Sequence, residues 1–232
     1  ASALRATVYQ GDQIRASLQR FTANMASRQI LLTFNEIIDV DTFVPELFHI
    51  QSQASVSTGS GVAHALTPAS ATVGSDGRVV VIQLSDQDIL DLGMTLGLAT
   101  SATDFFVRMS GSVFADVLGR NVISIAASAA QQAASYVPDQ TPPAIVQSQV
   151  DMAQRTISFW FSEPVDTSSF SIEAIVLQSG DGSDSGSGDG SGSSEYQLTG
   201  GSSVFATDAK SVVISIADVD FNAIALLELL AV

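Results

Sequence analysis

The chain has no cysteine among its 232 residues, which removes disulfides and thiolate metal sites and leaves the redox compartment unread. Basic residues are scarce: nine Lys and Arg stand against 24 Asp and Glu, a formal net charge of −15. A surface of that sign repels phosphate, so neither nucleic acid nor an anionic membrane is an expected partner. Long apolar runs are also missing. The longest near either end, residues 223–232, is broken by Glu228 and falls well short of the roughly 20 residues a spanning helix needs, so no membrane insertion is expected. No basic, then apolar, leader opens the chain, which implies a secretory signal already removed or carried on a longer precursor. Asn24, Asn35, Asn121 and Asn222 all lack the hydroxyl two residues on that N-linked sugar requires.

What the chain has instead is a doubling. Phe34, Glu36, Asp39, Phe43, Gln51 and Ser52 recur as Phe161, Glu163, Asp166, Phe170, Gln178 and Ser179, an offset of 127 (161 − 34). Leu66, Thr67, Ser70, Asp76, Val80, Val81, Ile82, Asp86 and Asp88 recur as Leu198, Thr199, Ser202, Asp208, Val212, Val213, Ile214, Asp218 and Asp220, an offset of 132 (198 − 66). The extra length falls in the glycine, serine and aspartate run 180–194, which reads as an enlarged, solvated hairpin loop. Self-similarity of this kind marks an array of like modules.

Within each copy the pattern has period two. Ile30, Leu32 and Phe34 share one face, as do Ile157, Phe159 and Phe161; Val80, Ile82 and Leu84 repeat it, with Val212, Ile214 and Ile216. Further strands are expected at 47–52, 104–109 and 121–126. The fold class expected is all-β: two tandem Ig-like antiparallel sandwiches, the second incomplete. Ser85 to Asp88 has the form of a helix cap, followed by Ile89, Leu92 and Leu96 at helical spacing, so a short helix is expected there and again from Asp218. Three prolines in residues 137–143 make a short, stiff linker.

The domains read as an N-terminal strand and linker over 1–13, a first repeat over 14–137 and a second over 138–232. Tyr9, Asp12 and Gln13 match Tyr136, Asp139 and Gln140, so residues 1–13 resemble the tail of a preceding copy. Val232 matches Thr100, and the second copy is expected to lack its last two strands. Either the polypeptide continues or a neighbouring chain supplies a strand. The natural donor is the alternating segment of Leu4, Ala6 and Val8.

The pattern Phe-x-Glu-x-Ile/Val-Asp, then Leu-Thr-x-x-Ser, then Val-Val-Ile-x-Leu/Ile-x-Asp-x-Asp, then Asp116-Val-Leu-Gly-Arg-Asn121, resembles Ig-like repeats of very large secreted proteins of algae and other protists. Looser relatives are the Ig-like and cadherin-like repeats of bacterial surface-layer and adhesin proteins. That resemblance implies structural spacers of an extracellular filament, wall or cell-surface array, and it brings no catalytic residues. The partners it implies are other copies of the chain or neighbouring repeats. A cell-surface adhesin binding glycan or protein is the alternative.

Candidate chemistry is thin. His49 and His64 align with Val176 and Tyr196, so neither imidazole recurs, and no nucleophile elbow accompanies them; no enzyme is expected. Glu36, Asp39 and Asp41, and the pairs Asp86 with Asp88 and Asp218 with Asp220, read as turn and cap residues, with calcium as the alternative and no other cofactor. Trp160 falls on the outside of its strand, where Leu31 sits in copy one, with Val81 and Val213 outward on the strand expected beside it. These four make a recurring apolar patch suited to packing against another module.

Overall fold

The computed structural model describes residues 3, 5, 7, 8, 10–56, 61–178, 195–200 and 203–226. It forms two compact units, Ala1–Gln140 and Thr141–Val232. Both are built of strands with one short helix each, the all-β class expected. The acidic run 180–194, Leu4 and Ala6 lie outside the described residues.

In the first unit the strands are β1 (Leu18–Asn24), β2 (Gln29–Phe34), β3 (Ile38–Asp39), β4 (Phe48–Gln51), β5 (Ala63–Ala65), β6 (Ala71–Ser75), β7 (Val79–Gln83), β8 (Phe106–Met109), β9 (Ala115–Asp116), β10 (Gln131–Gln132) and β11 (Ser135–Val137). One sheet runs β11-β1-β2-β7-β6, the other β10-β8-β4-β5, and β3 pairs with β9 alongside. All pairs are antiparallel except β1 with β11. Alternation explains the core. Ile30 and Leu32 of β2 and Val80 and Ile82 of β7 point inward to meet Phe48 and Ile50 of β4 and Val107 of β8, all in one buried cluster. Phe21 packs on Phe105 with centroids 5.7 Å apart. Phe114 meets Phe34 edge-on at 5.9 Å and stacks on Phe43 at 4.8 Å.

Helix α1 (Asp86–Met94) follows β7, capped where the Ser85 hydroxyl accepts the Asp88 amide. Leu92 is buried and Ile89 packs on the core. Leu96 departs from the expectation, being 95% exposed. The helix has already ended at Thr95, whose amide turns back to the carbonyls of Asp91 and Leu92, so helical spacing no longer applies. The strand expected at 121–126 is also absent as such. That segment crosses between the sheets: the Ile123 amide donates to Ala16 of one side and Ile125 exchanges bonds with Met109 of the other.

The second unit contains β12 (Ile145–Asp151), β13 (Thr156–Phe161), β14 (Val176–Gln178), β15 (Glu195–Gln197), β16 (Ser203–Asp208), β17 (Ser211–Ser215) and α2 (Asp218–Leu226). Its sheet runs β12-β13-β17-β16, with β14 and β15 as a two-stranded ribbon. Registers repeat those of the first unit: Ile157 opposes Ile214 as Ile30 opposes Ile82, and Phe159 opposes Val212 as Leu32 opposes Val80. Even a bulge recurs, between Leu18 and Arg20 in β1 and between Ile145 and Gln147 in β12. Among the described residues the second unit has no counterpart of β8 to β11.

Phe114 is therefore a keystone of the first unit, holding the 110–123 segment to β2 and the loop after it. Phe114→Ala is expected to destabilise that unit by roughly 3–5 kcal/mol, measured by urea unfolding followed through core methyl resonances.

Candidate assembly surface

Leu31 and Val81 are cross-strand partners on the outer face of the first sheet, both half-buried. In the second unit Trp160 is half-buried and lies opposite Ser211 and Gln147. The expected likeness to Leu31 is off by one pair of residues. At the offset of 127, Trp160 matches Thr33 (160 − 127) and Leu31 matches Ser158 (158 − 127). Val213 accordingly opposes Ser158 on β13, not Trp160. Strand alternation still puts Trp160 on the outer face, but the patch is not the same in the two units. Val8 is 86% exposed.

The recurring carboxylates do more than cap. Asp88 is fully buried. Its Oδ2 accepts the hydroxyls of Ser70 (2.6 Å), Ser85 (2.6 Å) and Thr67 (2.9 Å), while Oδ1 accepts the Thr67 amide (2.9 Å) and lies 2.7 Å from Nε2 of His64. Asp220 is equally buried and accepts the Thr199 amide (3.0 Å) and the Tyr196 hydroxyl (2.8 Å). His64 and Tyr196 are thus equivalents that differ in ring and agree in partner. Burial works to raise the Asp88 pKa, but the bonds from His64, Ser70, Ser85 and Thr67 prevail and hold it at about 2. Burial, then Asp220, pushes the Tyr196 phenol up. Burial, with Arg108 and His64 nearby, pushes His49 below its ordinary range.

Two arginines complete the pattern without having been singled out in the sequence. Arg28 and Arg155 occupy left-handed backbone, φ 58° and 55°, in the turns between β1 and β2 and between β12 and β13. Each reaches the first aspartate of a helix, Arg28 to Asp86 and Arg155 to Asp218, both at 2.6 Å. The signal was available as Met25-Ala26-x-Arg28 against Met152-Ala153-x-Arg155. Asp39 and Asp166 likewise play one role, accepting the amides of Asp41 and Ser168 in equivalent turns. Among the described residues no three His, Asp or Glu side chains gather to share a metal.

One side of the second unit differs from its counterpart. Ile145, Val146 and Val150 of β12 are exposed, where the equivalents of Ile145 and Val150, Leu18 and Ala23, are buried. Phe161, Ile175 and Leu177 are half-buried, whereas Phe34, Phe48 and Ile50 are fully covered. A cleft of about 450 Å³ opens there, lined by Phe159, Phe161, Phe170, Ile175, Pro143 and Val165 among others.

No family model and no curated protein matches the sequence. The chain is similar to solved bacterial surface-layer structures. These are domains 1–6 of surface layer protein SbsC (15% identity, TM-score 0.34, 71% of this chain and 20% of that one), the S-layer protein rSbsC(31-844) (15%, 0.34, 86% and 22%) and the N-terminal part of SbsC (13%, 0.35, 89% and 42%). The chain thus spans about a fifth to two fifths of the length of those chains.

The buried carboxylate sets the sign of acid sensitivity. Asp88 ionises at about 2 when folded against an ordinary 3.8, so its contribution is complete above the ordinary value and is lost as pH falls through that window. Asp88→Ala is expected to lower stability at neutral pH by roughly 3–5 kcal/mol. It is also expected to flatten the acid limb of the first unit's stability between pH 3.8 and about 2, as read by urea melts across that range.

Proposed function

We propose that the chain is a structural component of an extracellular or cell-surface array, made of two like modules of Ig-like type that associate with further copies through the open side of the second. The observation that carries this reading is the contrast just described: residues buried in the first unit have uncovered equivalents in the second. The sheet orders support the module type, since β1-β2-β7-β6 and β8-β4-β5 match the A-B-E-D and F-C-C′ orders of an Ig-like sandwich.

A donor for the open edge exists within the sequence. In the first unit β11 lies parallel to β1, with Ser135 opposite Thr22 and Tyr136 opposite Ala23. Carrying that register over by 127 sets Val8 opposite Gln149 and Tyr9 opposite Val150. On this reading the Leu4, Ala6 and Val8 strand of one copy closes β12 of the next, by strand addition.

Sedimentation of the purified chain over a concentration series tests it. Association is expected to rise with concentration and to be lost when residues 1–10 are deleted. A monomer at every concentration would overturn the reading, and association that survives the deletion would overturn the strand assignment.

A further inference from the structure

The cleft of the second unit has a filled twin. Most residues lining it, Pro143, Phe161, Val165, Ser169, Phe170 and Ala174 among them, correspond at the offset of 127 to residues of the first unit that bond to or pack on the segment 110–123. There the Val113 carbonyl accepts the amide of Val44 (3.0 Å), the Ser110 amide donates to Leu47 (3.1 Å) and Ile123 to Ala16 (2.8 Å). Asp39 and Ile38 of β3 pair with Ala115 and Asp116 of β9. The Ala115 amide donates to the Thr42 hydroxyl (2.8 Å), which itself donates to the Asp39 carbonyl. Between these anchors the Phe114 ring enters against Phe34 and Phe43.

The second unit keeps the receiving half of this arrangement. Phe161 and Phe170 stand where Phe34 and Phe43 do. Val165 and Asp166 repeat Ile38 and Asp39, and the Val165 amide is held by Ala209 (2.9 Å) as Ile38 is held by Gly77 (2.9 Å). Ser169 replaces Thr42 with the hydroxyl retained, donating to the Asp166 carbonyl at 2.9 Å and so presenting a lone pair outward as Thr42 does. Two rings, a short extended backbone and a pre-aimed hydroxyl are therefore in place, and the cleft of about 450 Å³ lies between them. That volume accommodates an aromatic ring with its flanking backbone.

We propose that this cleft is a receptor for an extended peptide segment of the type Val113-Phe114-Ala115-Asp116, whose phenylalanine enters between Phe161 and Phe170 and whose following amide donates to Ser169. The inference rests on reading the second unit as an open module and adds the chemistry of what closes it: a phenylalanine followed by a small residue, carried on backbone able to pair with Val165 and Asp166. It is a different contact from the strand addition at β12, because in the first unit Phe114 and β11 cover different places.

The test uses the full chain, labelled for amide NMR, titrated with a synthetic peptide of residues 110–121 and with its Phe114→Ala version. Binding is expected to move the amides of Val165, Ser169 and Ser171, and to weaken by roughly tenfold or more in the alanine peptide, about 1.4 kcal/mol or greater. In parallel, residues 101–137 fused behind Val232 keep the repeat spacing of 132 and are expected to raise the melting of the second unit, a gain abolished by Phe→Ala at the grafted counterpart of Phe114. Equal binding by both peptides, or shifts confined to residues elsewhere, overturns the assignment. So does a chain that ignores the peptide and gains nothing from the fusion. Sedimentation of the same sample without peptide separates the two ideas: an associating chain with an indifferent cleft defeats this inference alone, and a monomer that takes the peptide defeats only the assembly reading.

Discussion

A charge placed inside a protein must be met by donors on every side, and the Asp88 carboxylate meets that demand from three separate stretches of chain. Its donors come from β5 through His64, from the loop through Thr67 and Ser70, and from the helix cap through Ser85. None can move without leaving a buried carboxylate short of a partner. The start of α1 is thereby locked to the loop that leads into β6, and Leu92 one turn further on is carried onto the core. Asp220 does the same for α2 with a tyrosine in place of the histidine. The Arg28 and Arg155 ion pairs are a second tie between each helix and the turn before its neighbouring strand. They are more exposed and contribute less.

How much of this was legible in the sequence follows from range and regularity. β2, β7, β13 and β17 alternate without interruption, so their inward faces could be read directly. β1 and β12 each carry a bulge, which in β1 makes the step from Leu18 to Phe21 three residues and the next, to Ala23, two, and period two is lost where the bulge sits. The cap at Ser85 is local and readable. The donors of the Asp88 carboxylate at His64, Thr67 and Ser70 lie 24, 21 and 18 residues away, and no local pattern joins them. His64 was hidden for a further reason: residue type does not recur there, only the ability to reach one buried oxygen. Alternation puts Trp160 on the outer face but does not say which outward residue of β2 it matches. The repeat offset of 127 does, giving Thr33, and the strand pairing agrees, since Val213 faces Ser158 as Val81 faces Leu31.

The two units amount to an internal comparison in which scaffold and register stay constant while the cover changes. Phe34 and Phe161 occupy the same place on equivalent strands, β2 and β13, yet one is buried and the other half-buried. The Asp39 and Asp166 turns retain the same amide bond, so the loop that receives the 110–123 segment in the first unit is already shaped in the second. Shape is therefore a property of the receiving strands and their turn, and does not require the segment that fills it.

Closing such a side has a limited free-energy return. Phe161, Ile175 and Leu177 are half-covered already, so each gains only part of the roughly 1.5–3 kcal/mol that full burial of a large apolar side chain supplies. Each new backbone bond adds about 0.5–1.5 kcal/mol net. Association of free molecules costs on the order of 4–15 kcal/mol before any contact is counted. A single closure between independent copies is then marginal, and the balance changes when the partners are already tethered, since a short linkage supplies an effective concentration in the millimolar range. On the assembly reading, the open side is better matched to neighbours held in series than to a free pair. The restraint of those neighbours, and not the strength of any one contact, would then decide whether the module closes.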